Sequence, residues 1–321
     1  MTSTRQLAKS AGFGSVVGVA LMLTAFTLID FSGWWTARTI SNVVHFSSIL
    51  ALIAMGQALV IISKEIDLSV GSVYGLTGIA FITFEHSLGV PGAVIAALAI
   101  AAVCGLLQGL AVVRGGLPSM IVTLGGLFTF RGIIYVWTGG SVRNFSEAAR
   151  ENWLTKLFGG EVFGIEAAVL WMLLMLAILS VVLKFTRFGN HLLATGGASD
   201  SAESRGVRID RVKIITFVMC SVMAGFAGIV TLADQPQTHV TIGDLLELEA
   251  ISAAVIGGCL LSGGRGSLIG AVLGAFIVTS FRYELIALGA PSSWFITFVG
   301  VVLIVAIIFN QKLARWAGHN V

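Results

Sequence analysis

RFGNHLLATGGASDSAESRGVRIDRVK, residues 187–213, is a long polar interruption between two apolar runs, each able to cross a bilayer. It carries Arg187, His191, Arg205, Arg208, Arg211 and Lys213, a basic excess that assigns it to the cytoplasmic side of a membrane. Within it, Asp200 and Glu203 have the spacing of a capping box, and Gly206 stands where a helix would stop in the left-handed conformation. The sequence therefore predicts a very short helix outside the membrane, bracketed by Gly196-Gly197 and Gly206. So few residues make a marginal helix in water, so this one needs a surface to lie on, either its own protein or another chain.

The surrounding chain is 56% hydrophobic and 11% charged, where a soluble domain carries roughly 25% charged residues. Period-2 alternation is absent, which argues against a membrane β-barrel and for a helical bundle. Apolar runs place spans near 14–31, 43–63, 69–86, 91–113, 119–137, 166–185, 212–232, 248–261, 267–283 and 293–310, about ten in all. The fold expected is an all-α polytopic bundle with both termini in the cytoplasm. With that orientation Arg5, Lys9, Lys64, Arg114, Lys184, Arg265, Lys312 and Arg315 join the basic residues of 187–213 inside. Only Arg38, Arg143, Arg150, Lys156 and Arg282 fall outside, as the positive-inside rule requires. The run 248–261 is short for an untilted crossing and reads as a possible half-helix or re-entrant segment. The first span follows Arg5 and Lys9 and lacks a cleavage site, so it reads as uncleaved, ending in an aromatic anchor at Trp34-Trp35.

Two segments on the opposite side are long enough to have a role. Gly139 to Glu166 holds Phe145, Trp153, Leu154, Leu157 and Phe158 among charges and reads as an amphipathic surface helix. Ala233 to Glu249 carries Pro236, His239 and the acids Asp244, Glu247 and Glu249. Either contacts a partner or caps its own bundle.

Inside the spans, Gly71, Gly75 and Gly78, Gly105 and Gly109, and Gly266, Gly270 and Gly274 fall at small-xxx-small spacing and read as close helix packing. Asp67 and Ser69 are good N-cap residues for the third span. Arg131 lies within a span near its outer end and reads first as a snorkelling side chain, second as part of a pathway. Gln57, Gln108, Tyr74, Thr77 and Thr129 suit either a pathway for a neutral hydroxyl-rich solute or bonds between helices. Gln57, Asp67, Ser69, Gly71, Arg131 and Glu249 are together the candidate pathway or motif residues. No phosphate-binding loop, HExxH or GxSxG motif is present, and Cys104, Cys220 and Cys259 lack metal or disulfide spacing. The chain does not read as an enzyme, and no metal site is expected.

Four stretches carry a resemblance: GQALVIISKEIDLSVGSVYGLTG (56–78), TLGGLFTFRGIIYVWTGG (123–140), RFGNHLLATGG (187–197) with GVRIDRVKI (206–214), and LEAISAAVIGGCLLSGGRGSLIGAVLGA (248–275). In this order they resemble the membrane permease subunits of bacterial ABC importers for monosaccharides, the group that includes ribose, xylose, arabinose, galactose and autoinducer-2 systems. The resemblance runs from about residue 40 to the C-terminus and implies that residues 1–321 form one permease domain of the bacterial inner membrane. It implies three partners: a cytoplasmic ATP-binding subunit, a periplasmic sugar-binding protein, and a second permease copy, identical or paralogous. ATP and Mg would be used by the partner subunit, no cofactor would be bound by this chain, and no nucleic acid is implied. Residues 187–211 would be the loop that couples to the ATPase, through Gly196, Gly197, Asp200, Glu203, Gly206, Asp210 and Arg211. Between Ala198 and Arg205 the chain departs from the family's usual Asn-Glu-x-Ala-Ala-Arg-x-Ser-Gly type run. A permease for branched-chain amino acids and a stand-alone secondary carrier are the alternatives.

Overall fold

The computed structural model describes residues 13–316 except 163, 236 and 292. Arg5, Lys9 and Pro236 lie outside the described residues, as do the side chains of Lys312 and Arg315. The described chain is an all-α membrane bundle containing six helices long and apolar enough to cross a bilayer.

Helix α1 (Phe13–Ile29) leads through a turn of helix, α2 (Phe31–Trp34), whose start is held by Asp30 accepting from the Gly33 amide at 3.0 Å. The two tryptophans expected to form an interface anchor separate. Trp34 is buried edge-on against Phe26, with ring centroids 4.8 Å apart, and Trp35 alone is exposed, its indole donating to Thr27. Helix α3 (Ala37–Ile62) begins at the Thr36 cap and runs through the centre of the molecule. Helix α4 (Val70–Val113) has 44 residues, which would extend about 66 Å, twice the hydrocarbon thickness of roughly 30 Å. It is broken where Gly89 adopts φ 67° and ψ 170°, two residues before Pro91, so its two arms correspond to two of the expected spans. Helix α5 is Ser119–Thr138.

The segment expected as one amphipathic surface helix is instead two short helices, α6 (Glu147–Glu151) and α7 (Trp153–Gly159). Asn152 ends the first and caps the second, which is why a continuous helix does not form. Phe145 packs edge-on against Phe81, and Phe158 stacks on Trp171, while Trp153 stays 70% exposed. The segment therefore caps its own bundle. Glu85 fastens it, accepting from the Ser146 amide at 2.9 Å and hydroxyl at 3.0 Å. A hairpin of β2 (Glu161–Val162) and β3 (Ile165–Glu166) follows, and β1 (Arg143–Asn144) pairs antiparallel with β4 (Gln237–Thr238), joining the two loops of this end.

Helix α8 (Ala167–Phe185) leads to α9 (Arg187–Gly197) and α10 (Ser199–Ser204) at the basic end. Helix α11 (Ile209–Asp234) then lies along both arms of α4. The glycines explain this contact: a Cβ added at Gly105 would stand 2.6 Å from the Phe217 carbonyl oxygen, so only glycine lets the backbones meet. Helix α12 (Leu246–Ile256) has 11 residues, about 16 Å, too short for a full crossing, as the short run implied. It packs against α3, α13 (Leu268–Ala287) and α14 (Ser293–Trp316), with Gly270 and Gly274 set directly on the backbone of Gly257 and Ala253.

Gly105→Val is expected to lower stability by about 1–3 kcal/mol, because the new methyls meet backbone atoms that cannot yield. Thermal unfolding of the detergent-purified protein measures this, with Gly300→Val, where no atom lies within 4 Å, expected to behave as the parent.

Candidate functional site

Three places concentrate polar chemistry. The first is the return from α3 into α4. After Ser63 the chain turns at Lys64, whose φ is 68°, and runs back beside the helix it has just left. Backbone that is not helical needs partners within the protein at membrane depth. With its amide turned to the orientation that satisfies both ends, Gln57 supplies two of them, its nitrogen donating to the Asp67 carbonyl and its oxygen accepting from the Asp67 amide, both at 3.2 Å. The Ile66 amide donates to Ser119 Oγ at 3.3 Å, and Thr123 Oγ1 donates to the Ile66 carbonyl at 3.3 Å. Asp67 and Ser69 were expected to cap α4, but neither side chain does so. Asp67 Oδ1 accepts from the Ser69 amide at 2.8 Å and hydroxyl at 2.7 Å, a local Asx turn. Gln108 Nε2 in turn donates to Ser69 Oγ at 2.6 Å. Gln57, Asp67 and Ser69 are fully enclosed, and Gly71 packs on Gly243 and Glu247, so this motif holds backbone in place and presents no open face.

The second place is the descent from Asp234 into α12. Arg131 does not snorkel. Its Nη1 donates to the carbonyls of Val240 at 2.9 Å and Ile242 at 2.8 Å, and its Nη2 pairs with Asp244 at 2.8 Å. A planar guanidinium with five donors suits this simultaneous service to two carbonyls and a carboxylate. Glu249, in the first turn of α12, is buried and pairs with Arg282 of α13, whose guanidinium also lies 4.1 Å over the Phe295 ring. Asp244 and Arg282 as partners were not legible in the sequence, where both stand in end segments with no helical spacing to Arg131 or Glu249.

The third place is the basic end. Thr186 caps α9 by accepting from the Gly189 amide, and α10 follows after Ala198. The expected capping box is not formed: α10 begins at Ser199, Ala198 occupies the cap position, and Asp200 lies inside the first turn. The predicted stop is present. Gly206 has φ 84°, its amide donates to the Glu203 carbonyl at 2.8 Å, and the Val207 amide reaches back to the Ala202 carbonyl at 3.0 Å, a Schellman motif. Of α10 only Ala202 is buried, and Asp200, Glu203, Asp210 and Arg211 are exposed. Gly196 and Gly197 differ from their expected role as a loop bracket. They end α9, and Gly196 is pressed against the Ile62 carbonyl and the turn at Gly264, whose amide donates to Ile62 at 2.9 Å. Lys213 adds an ion pair to Glu65 at 2.5 Å. Among the described residues no group of three or more His, Cys, Asp or Glu side chains is placed to hold a metal ion.

Glu249→Leu is expected to destabilise the bundle by about 3–5 kcal/mol, because Arg282 is left without its counter-charge. Combining it with Arg282→Leu is expected to restore much of the loss, read by thermal unfolding of both variants in detergent.

A family model described as the permease component of branched-chain amino acid transport systems matches residues 39–307. The autoinducer 2 import system permease protein LsrC of Escherichia coli O9:H4 (strain HS) is 33% identical over 87% of this chain and 80% of its own length. The ribose import permease protein RbsC of Escherichia coli (strain K12) is 32% identical over 91% of each chain. Sequence match and helical membrane architecture agree, and the chain belongs to this family of inner-membrane ABC importer permeases.

Proposed function

We propose that the protein is the permease of a binding-protein-dependent importer for a monosaccharide or a related hydroxyl-rich solute, about ten spans deep with both termini in the cytoplasm. One observation carries the mechanical part of this reading. Helix α10 is exposed on every side but one, is stopped by a Schellman turn, and joins the bundle through the Gly196, Gly264 and Ile62 backbone contact. A short helix that buries one alanine has little to hold it in water, so a partner surface is what it serves. The partner is an ATP-binding subunit, which alone would use ATP and Mg. Its closure would push α10, and the glycine contact would pass the movement to the end of α3 and the turn before α13. Two permease copies would rock about their shared interface, and a periplasmic binding protein would deliver the solute to the opposite end. The candidate coupling residues at the surface are Asp200, Glu203, Asp210 and Arg211, while Gly196, Gly197 and Gly206 shape the joint.

The substrate class rests on the relatives, two of which are named for ribose and for autoinducer 2. The family description names branched-chain amino acids and supports the second reading.

Affinity purification of the tagged chain from its native membrane, with an ATP hydrolysis assay on the eluate, tests the proposal. An ATP-binding subunit in near-equal amount, stimulated by a periplasmic binding protein, is the expected result. A lone chain that retains uptake in ATP-depleted vesicles under an ion gradient would overturn it. Gly206→Pro combined with Asp200→Lys is expected to reduce uptake at least tenfold with unchanged amounts of protein in the membrane.

A further inference from the structure

The pair of Arg131 and Asp244 lies at an unusual depth. Arg131 stands about two turns, roughly 10 Å, inside the end of α5 at Thr138. Ile242, whose carbonyl it holds, packs over Gly75, roughly 15 Å along α4 from Glu85 at the capped end. At this depth the side chain of Arg131 is 13% exposed but that of Asp244 is 50% exposed. A half-exposed carboxylate facing hydrocarbon costs several kcal/mol, and ionisable groups within membrane spans accordingly face the bundle interior or water.

The neighbouring surface of α5 is open but mixed. Beside Arg131 it presents Phe128, 66% exposed, Tyr135, 46% exposed, and Gly132, which has no atom within 4 Å of an added Cβ, while Ile133 and Val136 are open on the adjoining side. The exposed face of the second arm of α4, with Ile95, Val103 and Leu107 open, is aliphatic throughout and has no carboxylate beside it, as suits lipid.

We propose that Asp244 and the Phe128, Gly132 and Tyr135 face of α5 line the aqueous passage of the permease. Arg131 orients the Asp244 carboxylate through Oδ1 and closes the backbone groups behind it, leaving the other carboxylate oxygen to accept from a hydroxyl of a passing solute. The pair is net neutral, which suits a neutral hydroxylated solute. The identity of that solute rests on the importer reading above; the location of the passage does not.

The test is the rate of modification by a charged, water-soluble methanethiosulfonate in membrane vesicles carrying the full chain with its importer partners. Only a thiolate in water reacts, and Cys104, Cys220 and Cys259 are buried, so introduced cysteines report their own surroundings. Phe128→Cys and Asp244→Cys are expected to react at least tenfold faster than Val103→Cys and Leu107→Cys. Should Asp244→Cys fail to accumulate because Arg131 loses its partner, Phe128→Cys decides the matter alone. Equal rates at Phe128→Cys and Val103→Cys would overturn the proposal, even in a preparation that hydrolyses ATP with its partner subunit. The tenfold contrast in a chain that co-purifies with no ATPase would leave the passage standing and remove the importer reading.

Discussion

Every backbone amide and carbonyl at membrane depth must find a partner inside the protein, and this one requirement governs where the chain is allowed to stop being helical. Two of its breaks are held by side chains. The Gln57 amide serves both polar groups of Asp67, and the Arg131 guanidinium serves Val240 and Ile242. Each replaces helical hydrogen bonds that the break gave up. A third break, after α12, is served by backbone, the Leu260 amide donating to Arg265 at 3.1 Å and Gly264 to Ile62 at 2.9 Å. The breaks shorten α12 and allow α4 to begin beside the last turns of α3, and these consequences shape the centre of the molecule.

Glycine sets the distances between what remains helical. With no hydrophobic drive between helices in lipid, close backbone approach supplies the dispersion that holds them. The contact of Gly105 with Phe217 and Val218, and of Gly228 with Tyr74, joins α11 to α4 along much of its length. The same device at Gly196 and Gly264 ties a surface helix to the membrane bundle. A contact made of backbone alone has little freedom to deform.

The two ends of the molecule are built differently. At the basic end a single short helix stands out with its polar side chains exposed. At the opposite end the loops are sewn together by the pairing of β1 with β4, by Glu85 on Ser146, and by His45 between Glu166 and Asp234.

Much of this was written in the sequence by itself. Apolar run length settled the class, the six long spanning helices lie where hydropathy put them, and Gly206 stops α10 because glycine tolerates the left-handed conformation. The run at 248–261 was too short for an untilted crossing, and its helix, α12, has only 11 residues. Only the tertiary structure decided what the polar residues do. Asp200 has the spacing of a cap and is not one, Arg131 had a snorkelling route and does not take it, and Gly196 and Gly197 looked like a loop and are a packing joint. The reason is physical. Periodicity and length act along the chain and are legible there, whereas a buried hydrogen bond or ion pair takes whichever partner the packing brings, and Asp244 meets Arg131 across more than a hundred residues of chain.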